Sequence, residues 1–192
     1  MKEFKKLFIL LGLILFIFGC NEDVTINGLF SGTISNFTAG ADNTMQVKLG
    51  STTFGTSIVD KNGKFSMTLS QPSSLEVVSS VFSSLTISDK DAQFYGLDTY
   101  PEIITKGGAY IGFVVKTNNF TNDPYSSNYN GTVTWFVYCD RSCSIKGSVG
   151  SRSYDWNLKK GWNEVAVVYQ SGLTISSSTT IPADLKWWYF AY

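Results

Sequence analysis

The chain of 192 residues contains no histidine and only three cysteines, and these two shortages exclude more chemistry than any motif in it includes. Without imidazole there is no Ser-His-Asp or Cys-His nucleophile, no histidine general base and no His-containing zinc site. Charge is also scarce and balanced, with 15 basic and 15 acidic residues. The basic excess that neutralises phosphates is missing, so nucleic acid is not an expected partner. After the first twenty residues no stretch keeps a 3.6-residue apolar period over the ten or more positions a helix requires. What is abundant is Ser, Thr, Gly and aromatic residues, a composition that suits strands and turns.

The one long apolar run stands at the start, where Leu7 to Phe18 follows Lys2, Lys5 and Lys6. It is too short for a bilayer core, which needs roughly 20 helical residues, and has the layout of a signal peptide. Its end, Ile17-Phe18-Gly19-Cys20, resembles the lipobox of bacterial lipoproteins: a small residue for the peptidase, then the cysteine to be lipidated. The resemblance implies cleavage after residue 19, acylation of Cys20 (palmitate among the chains) and a membrane partner reached through the lipid anchor alone. Two or more acyl chains hold a protein stably where one does not. Cleavage removes three Lys and one Glu, leaving an acidic excess of two. The "NED" that follows, with Glu22 and Asp23, resembles the acidic tethers that some Gram-negative groups read as a surface-export signal. The expected location is the outer membrane or the cell surface.

Beyond a tether at 20–25, residues 26–88 read as short alternating strands. "VDKNGKFSMTL" reads as a hairpin in which Asn62-Gly63 supplies the positive backbone angles of a tight turn. Gly32 and Ile34, followed by Val59, Asp60, Gly63 and Phe65, resemble the carboxypeptidase-regulatory, transthyretin-like β-sandwich. That resemblance implies a spacer or binding platform and transfers no catalytic residue. The Ser-rich segment after Pro72, with Val77, Val78, Val81, Phe82 and Leu85, stays open between helical turns and a strand.

The Asp- and Lys-rich stretch 87–93 marks the expected boundary, and residues 92–192 hold all five Trp. "GAYIGFVVKT", "GTVTWFVY", "CSIKGSVG", "SYDWNL", "WNEVAVVY" and "DLKWWYFAY" read as successive strands. Gly107-Gly108, Asn130-Gly131 and Lys160-Gly161 supply turns between them. "LKKGWNEV" also resembles an element found in bacterial lipoproteins, with no activity attached. The expected fold class is all-β: two small antiparallel β-sandwich-like modules after a cleaved lipoprotein signal peptide. Whether they are separate domains or one continuous sandwich is open at this level.

Alternation puts Val133, Trp135 and Val137 on one face, Tyr154, Trp156 and Leu158 on one face of another strand, and Trp187 with Tyr189 on one side of the last. Trp187 and Trp188 must therefore point to opposite faces; one of them is either covered by a loop or exposed, and the pair supplies the candidate binding surface. Cys139 and Cys143 bracket "DRS" and are expected to close a hairpin with a disulfide in the oxidising space outside the cytoplasm. Asp140, Asp155 and Glu164 are the carboxylates available for glycosidase-type chemistry, with nothing in the sequence to bring two together. The sequons at Asn36, Asn119 and Asn130 read as turn chemistry. With Cys20 lipidated, two thiols are too few for a metal, and neither metal nor cofactor is expected. The function expected is a non-catalytic binding or scaffold module contacting an envelope protein or glycan. A carbohydrate-binding accessory or a carboxylate-dependent glycan-active protein is the alternative.

Overall fold

A computed structural model describes residues 28–192; the signal segment, the lipobox with Cys20 and the tether lie outside the described residues. The described chain is all-β, with fifteen strands and one helical turn.

The first region supplies β1 (Leu29–Thr33), β2 (Asn43–Leu49), β3 (Thr52–Val59) and β4 (Lys64–Thr68). The turn between β3 and β4 forms at the expected residues, but Gly63 alone takes a positive φ where Asn62-Gly63 was expected to supply both angles. Gly63 adopts φ +77°, and the Asp60 carboxylate accepts the N–H groups of Asn62 and Lys64 at 2.7 and 2.9 Å. Its two arms then part, because β3 pairs with β2 while β4 pairs with β1 in a separate two-stranded sheet. The strands approach at Gly55, where a Cβ would stand 2.7 Å from the Thr68 carbonyl oxygen. The open Ser-rich segment divides between both readings: β5 (Glu76–Val77), the helical turn α1 (Val78–Val81) and β6 (Thr86–Ile87).

The six expected strands of the second region are β9 (Tyr110–Thr117), β10 (Gly131–Cys139), β11 (Cys143–Val149), β12 (Arg152–Leu158), β13 (Gly161–Gln170) and β15 (Lys186–Ala191). Three more join them: β7 (Gln93–Leu97), β8 (Glu102–Ile104) and β14 (Leu173–Ser178). The last had a signal in the sequence. Ser171-Gly172 takes positive φ at both positions, 49° and 72°, and closes the two-residue loop between β13 and β14.

Hydrogen bonding crosses the expected boundary. β2 pairs with β8, so one sheet runs β3-β2-β8-β9-β10-β13-β14-β12-β11-β6, with β15 on β9 and β7 on β10. The question of separate modules or one sandwich is answered at the level of packing as well. Ile34, Met45, Phe54, Phe65 and Met67 of the first region share a core with Val114, Phe136, Tyr138, Trp162, Trp187 and Tyr189 of the second. A second core gathers Val115, Val133, Val137, Val165 and Val167 with Ile145, Trp156 and Leu158.

β9, β10 and β13 therefore form a middle layer whose neighbouring residues serve opposite cores: Val114 one and Val115 the other, Phe136 one and Val137 the other. A strand covered on both faces needs no polar alternation, and "GTVTWFVYC" has little. The first region meets the last strand at Gly32, where a Cβ would stand 2.6 Å from the Trp187 ring. Gly32→Ala is expected to cost about 1–3 kcal/mol by overpacking, read as a lowered urea midpoint with unchanged slope.

Candidate functional site

The last strand separates the two tryptophans expected to form a surface. Trp187 is buried in the first core, edge-on to Phe65 at 5.2 Å between ring centroids, with Lys116 Nζ 5.9 Å from its ring. Trp188 turns to the other face and is half-buried under Phe120, which stacks on it at 4.0 Å. Of the two candidates, Trp188 is the one on the outer side, and a loop of the same chain covers that ring. Two residues along, Phe190 stacks on Phe113 at 5.2 Å, Phe113 on Tyr100 at 5.9 Å, and Tyr125 meets both Phe113 and Tyr100 edge-on. Phe120 and Tyr125 remain 50% and 62% exposed, so the strip ends in two rings that face solvent.

The loop carrying them is held by its own amides. Asn119 Oδ1 accepts from the Thr121 N–H and hydroxyl, and Asn118 Oδ1 accepts from the Thr132 N–H at 2.9 Å. All three sequon asparagines work this way. Asn130 Oδ1 accepts from Ser171 N–H, and Asn36 both accepts from and donates to the backbone of Tyr189. Asn36 thereby supplies a peptide-like partner on the outer side of β15, where an edge strand would otherwise offer bare backbone groups.

Beyond the strip, Trp135 opens onto a groove of about 400 Å³. The register builds this groove. Gly96 of β7 lies opposite Val137, and Phe94 lies opposite both Cys139 of β10 and Glu76 of β5. Continuing that ladder one step places Asp98 beside Trp135. Trp156 closes the groove from β12, its indole N–H donating to Ser177 Oγ at 2.9 Å. A Cβ on Gly96 would meet nothing within 4 Å, so the missing side chain is what leaves the floor open. Behind the same two indoles lies a smaller cavity of about 180 Å³ reaching Arg152 and Tyr154. No element of this site was singled out from the sequence except the face assignments of Trp135 and Trp156. Gly96, between two apolar neighbours in a strand, was the available signal.

The carboxylates considered from the sequence are dispersed, each beside its own cation. Asp140 pairs with Arg141 at 2.9 Å, Asp155 with Lys146 at 2.9 Å, and Glu164 with Lys116 at 2.8 Å. Glu76 and Asp98, which flank the groove, have no ion pair among the described residues. Among those residues no group of three Cys, Asp or Glu side chains could hold a metal ion.

The cysteines do not lie in a hairpin. Both ladder positions beside Cys139 are filled, by Phe94 and by Gly161, and β11 pairs with β12 and β6 instead. The segment 140–142 is a corner between layers. Both thiols are free and buried in the second core, and burial pushes the Cys139 thiol up to about 11, against a smaller opposing pull from the Arg141 backbone. Burial also raises the hydroxyls of Tyr100 and Tyr129.

These groups keep their protons when folded and release them when unfolded. Their stabilisation is complete below the unfolded values, near 9 for the thiol and 10 for the phenols, and is lost as pH rises through the folded values. With no imidazole to titrate, the urea midpoint of the reduced protein should stay level from about pH 6 to 8 and fall from about pH 9 upward. Tyr100→Phe should remove part of the fall; a decline beginning near pH 7 would show the assignment to be wrong.

Compared with family models, curated proteins and solved structures, the chain matches none of the three.

Proposed function

We propose that this chain is a bacterial lipoprotein, anchored through Cys20 at the outer membrane or cell surface, and that it acts there as a non-catalytic binding module. The anchoring rests on the lipobox. The binding rests on one observation above others: an open groove over Gly96, walled by Trp135, which packs edge-on to Tyr169, and Trp156, whose indole N–H donates to Ser177. Rings already fixed lose little freedom when a ligand stacks against them.

The non-hydrolytic form of the alternative, a glycan-binding accessory, draws on the same indoles as stacking platforms.

Two measurements test this. Metabolic labelling with a palmitate analogue should mark the wild-type chain and leave Cys20→Ala unlabelled and released from membranes. A fragment and glycan screen of the soluble form beginning at Asn21, followed by the indole N–H signals of Trp135 and Trp156, should give hits that Gly96→Leu abolishes. Hits that shift other residues, or persist in Gly96→Leu, would move the binding site elsewhere. In the oxidising envelope we also propose that Cys139 and Cys143 join, clipping the corner between layers. A thiol count of zero on unfolded, unreduced protein is the expected result.

A further inference from the structure

We infer that the groove over Gly96 takes a quaternary ammonium group, a permanent cation clothed in methyls. This rests on the groove being the binding site and goes further by naming what fits it.

The lining decides the class. Phe94, Leu97, Trp135, Val137 and Trp156 give it an aromatic and aliphatic interior, while its charged side chains are Glu76 and Asp98, one toward each end, with no lysine or arginine on the wall. Every carboxylate weighed earlier has a cation beside it; these two have none among the described residues. The sign disfavours phosphates, sulfated sugars and uronic acids; both carboxylates are exposed, so this repulsion weakens as salt is added.

The wall between the two carboxylates narrows the choice further. It is aromatic and aliphatic, and the indole N–H of Trp156 already donates to Ser177. A primary ammonium or a sugar hydroxyl can donate to Glu76 or Asp98, but the side chains of Phe94, Val137 and Trp156 between them offer no acceptor. A quaternary ammonium has no N–H to satisfy. Its methyls pack against aromatic faces, the ring quadrupoles attract its charge, and the two carboxylates complement it from the rim.

The test uses choline against 3,3-dimethylbutan-1-ol, which has the same shape without the charge, on the soluble form beginning at Asn21. The readout is the shift of the Trp135 and Trp156 indole N–H signals. Choline is expected to saturate at concentrations roughly tenfold below the alcohol. Glu76→Gln with Asp98→Asn should erase most of that ratio, and Gly96→Leu should erase binding of both. Gly96→Ala should keep its urea midpoint, since its added Cβ meets no atom within 4 Å; it provides a milder block if Gly96→Leu does not fold.

Equal binding of the alcohol would overturn the cationic assignment while leaving the groove a binding site. Absence of any indole shift with choline, the alcohol and the fragment panel would overturn both. Phosphatidylcholine vesicles that compete with choline, where phosphatidylglycerol vesicles do not, would place the group on a lipid headgroup. Choline binding without vesicle competition would place it on a soluble molecule.

Discussion

A chain beginning at residue 92 should fail to fold, although the sequence from there on reads as a self-sufficient set of strands. Removing residues 28–91 uncovers Val114, Phe136, Tyr138, Trp162, Trp187 and Tyr189 on one face of the middle layer. Burying a large apolar side chain contributes about 1.5–3 kcal/mol, so six of them amount to on the order of 10 kcal/mol. That is comparable to the whole stability of a typical domain, about 5–15 kcal/mol. The cut also takes β2 from β8 and removes the Asn36 amide from the edge of β15. The expected readout is a collapsed amide spectrum for 92–192, and a single urea transition by fluorescence and circular dichroism for residues 21–192. Independent cooperative unfolding of the shorter chain would show that the shared core is not required.

The division into two regions was legible because composition changes at residues 87–93, and misleading because composition does not report pairing. Strand identity came through well. Each stretch read as a strand after residue 108 is one, and the inward faces of β10, β12 and β15 follow from simple alternation. The short β7 and β8 escaped because five and three residues carry too little periodicity, yet β8 is the strand that ties β2 into the main sheet.

The failure at Cys139 has the same origin. Two cysteines around a short polar stretch look like a hairpin in any local reading, and only the long-range partners Phe94 and Gly161 forbid it. The groove was hidden for a related reason. Its floor is an absence of side chain at Gly96, and its charge comes from Glu76, 59 residues before the Trp135 it flanks.

Trp187→Ala should cost about 3–5 kcal/mol, and Trp188→Ala much less, although the two are sequence neighbours of identical chemistry. Trp187 is 7% exposed and packs against Phe65, against the backbone at Gly32 and within the core that joins both regions. Its removal leaves a cavity the surrounding strands cannot close, because Gly32 has no side chain to move in and Ile34 is already bridged to the Trp187 backbone. Trp188 has Phe120 on one face and solvent access beyond it. Losing its ring removes one stacking contact, worth about 0.5–1.5 kcal/mol beyond area burial.

Urea titrations of the two variants give the comparison directly, and fluorescence adds an independent check. Loss of Trp187 should remove a blue-shifted, quencher-resistant component, and loss of Trp188 a more accessible one. If Trp188→Ala proves as costly as Trp187→Ala, the loop under Phe120 is part of the core. The aromatic strip would then be packing throughout, leaving the groove at Trp135 as the surface available to a ligand.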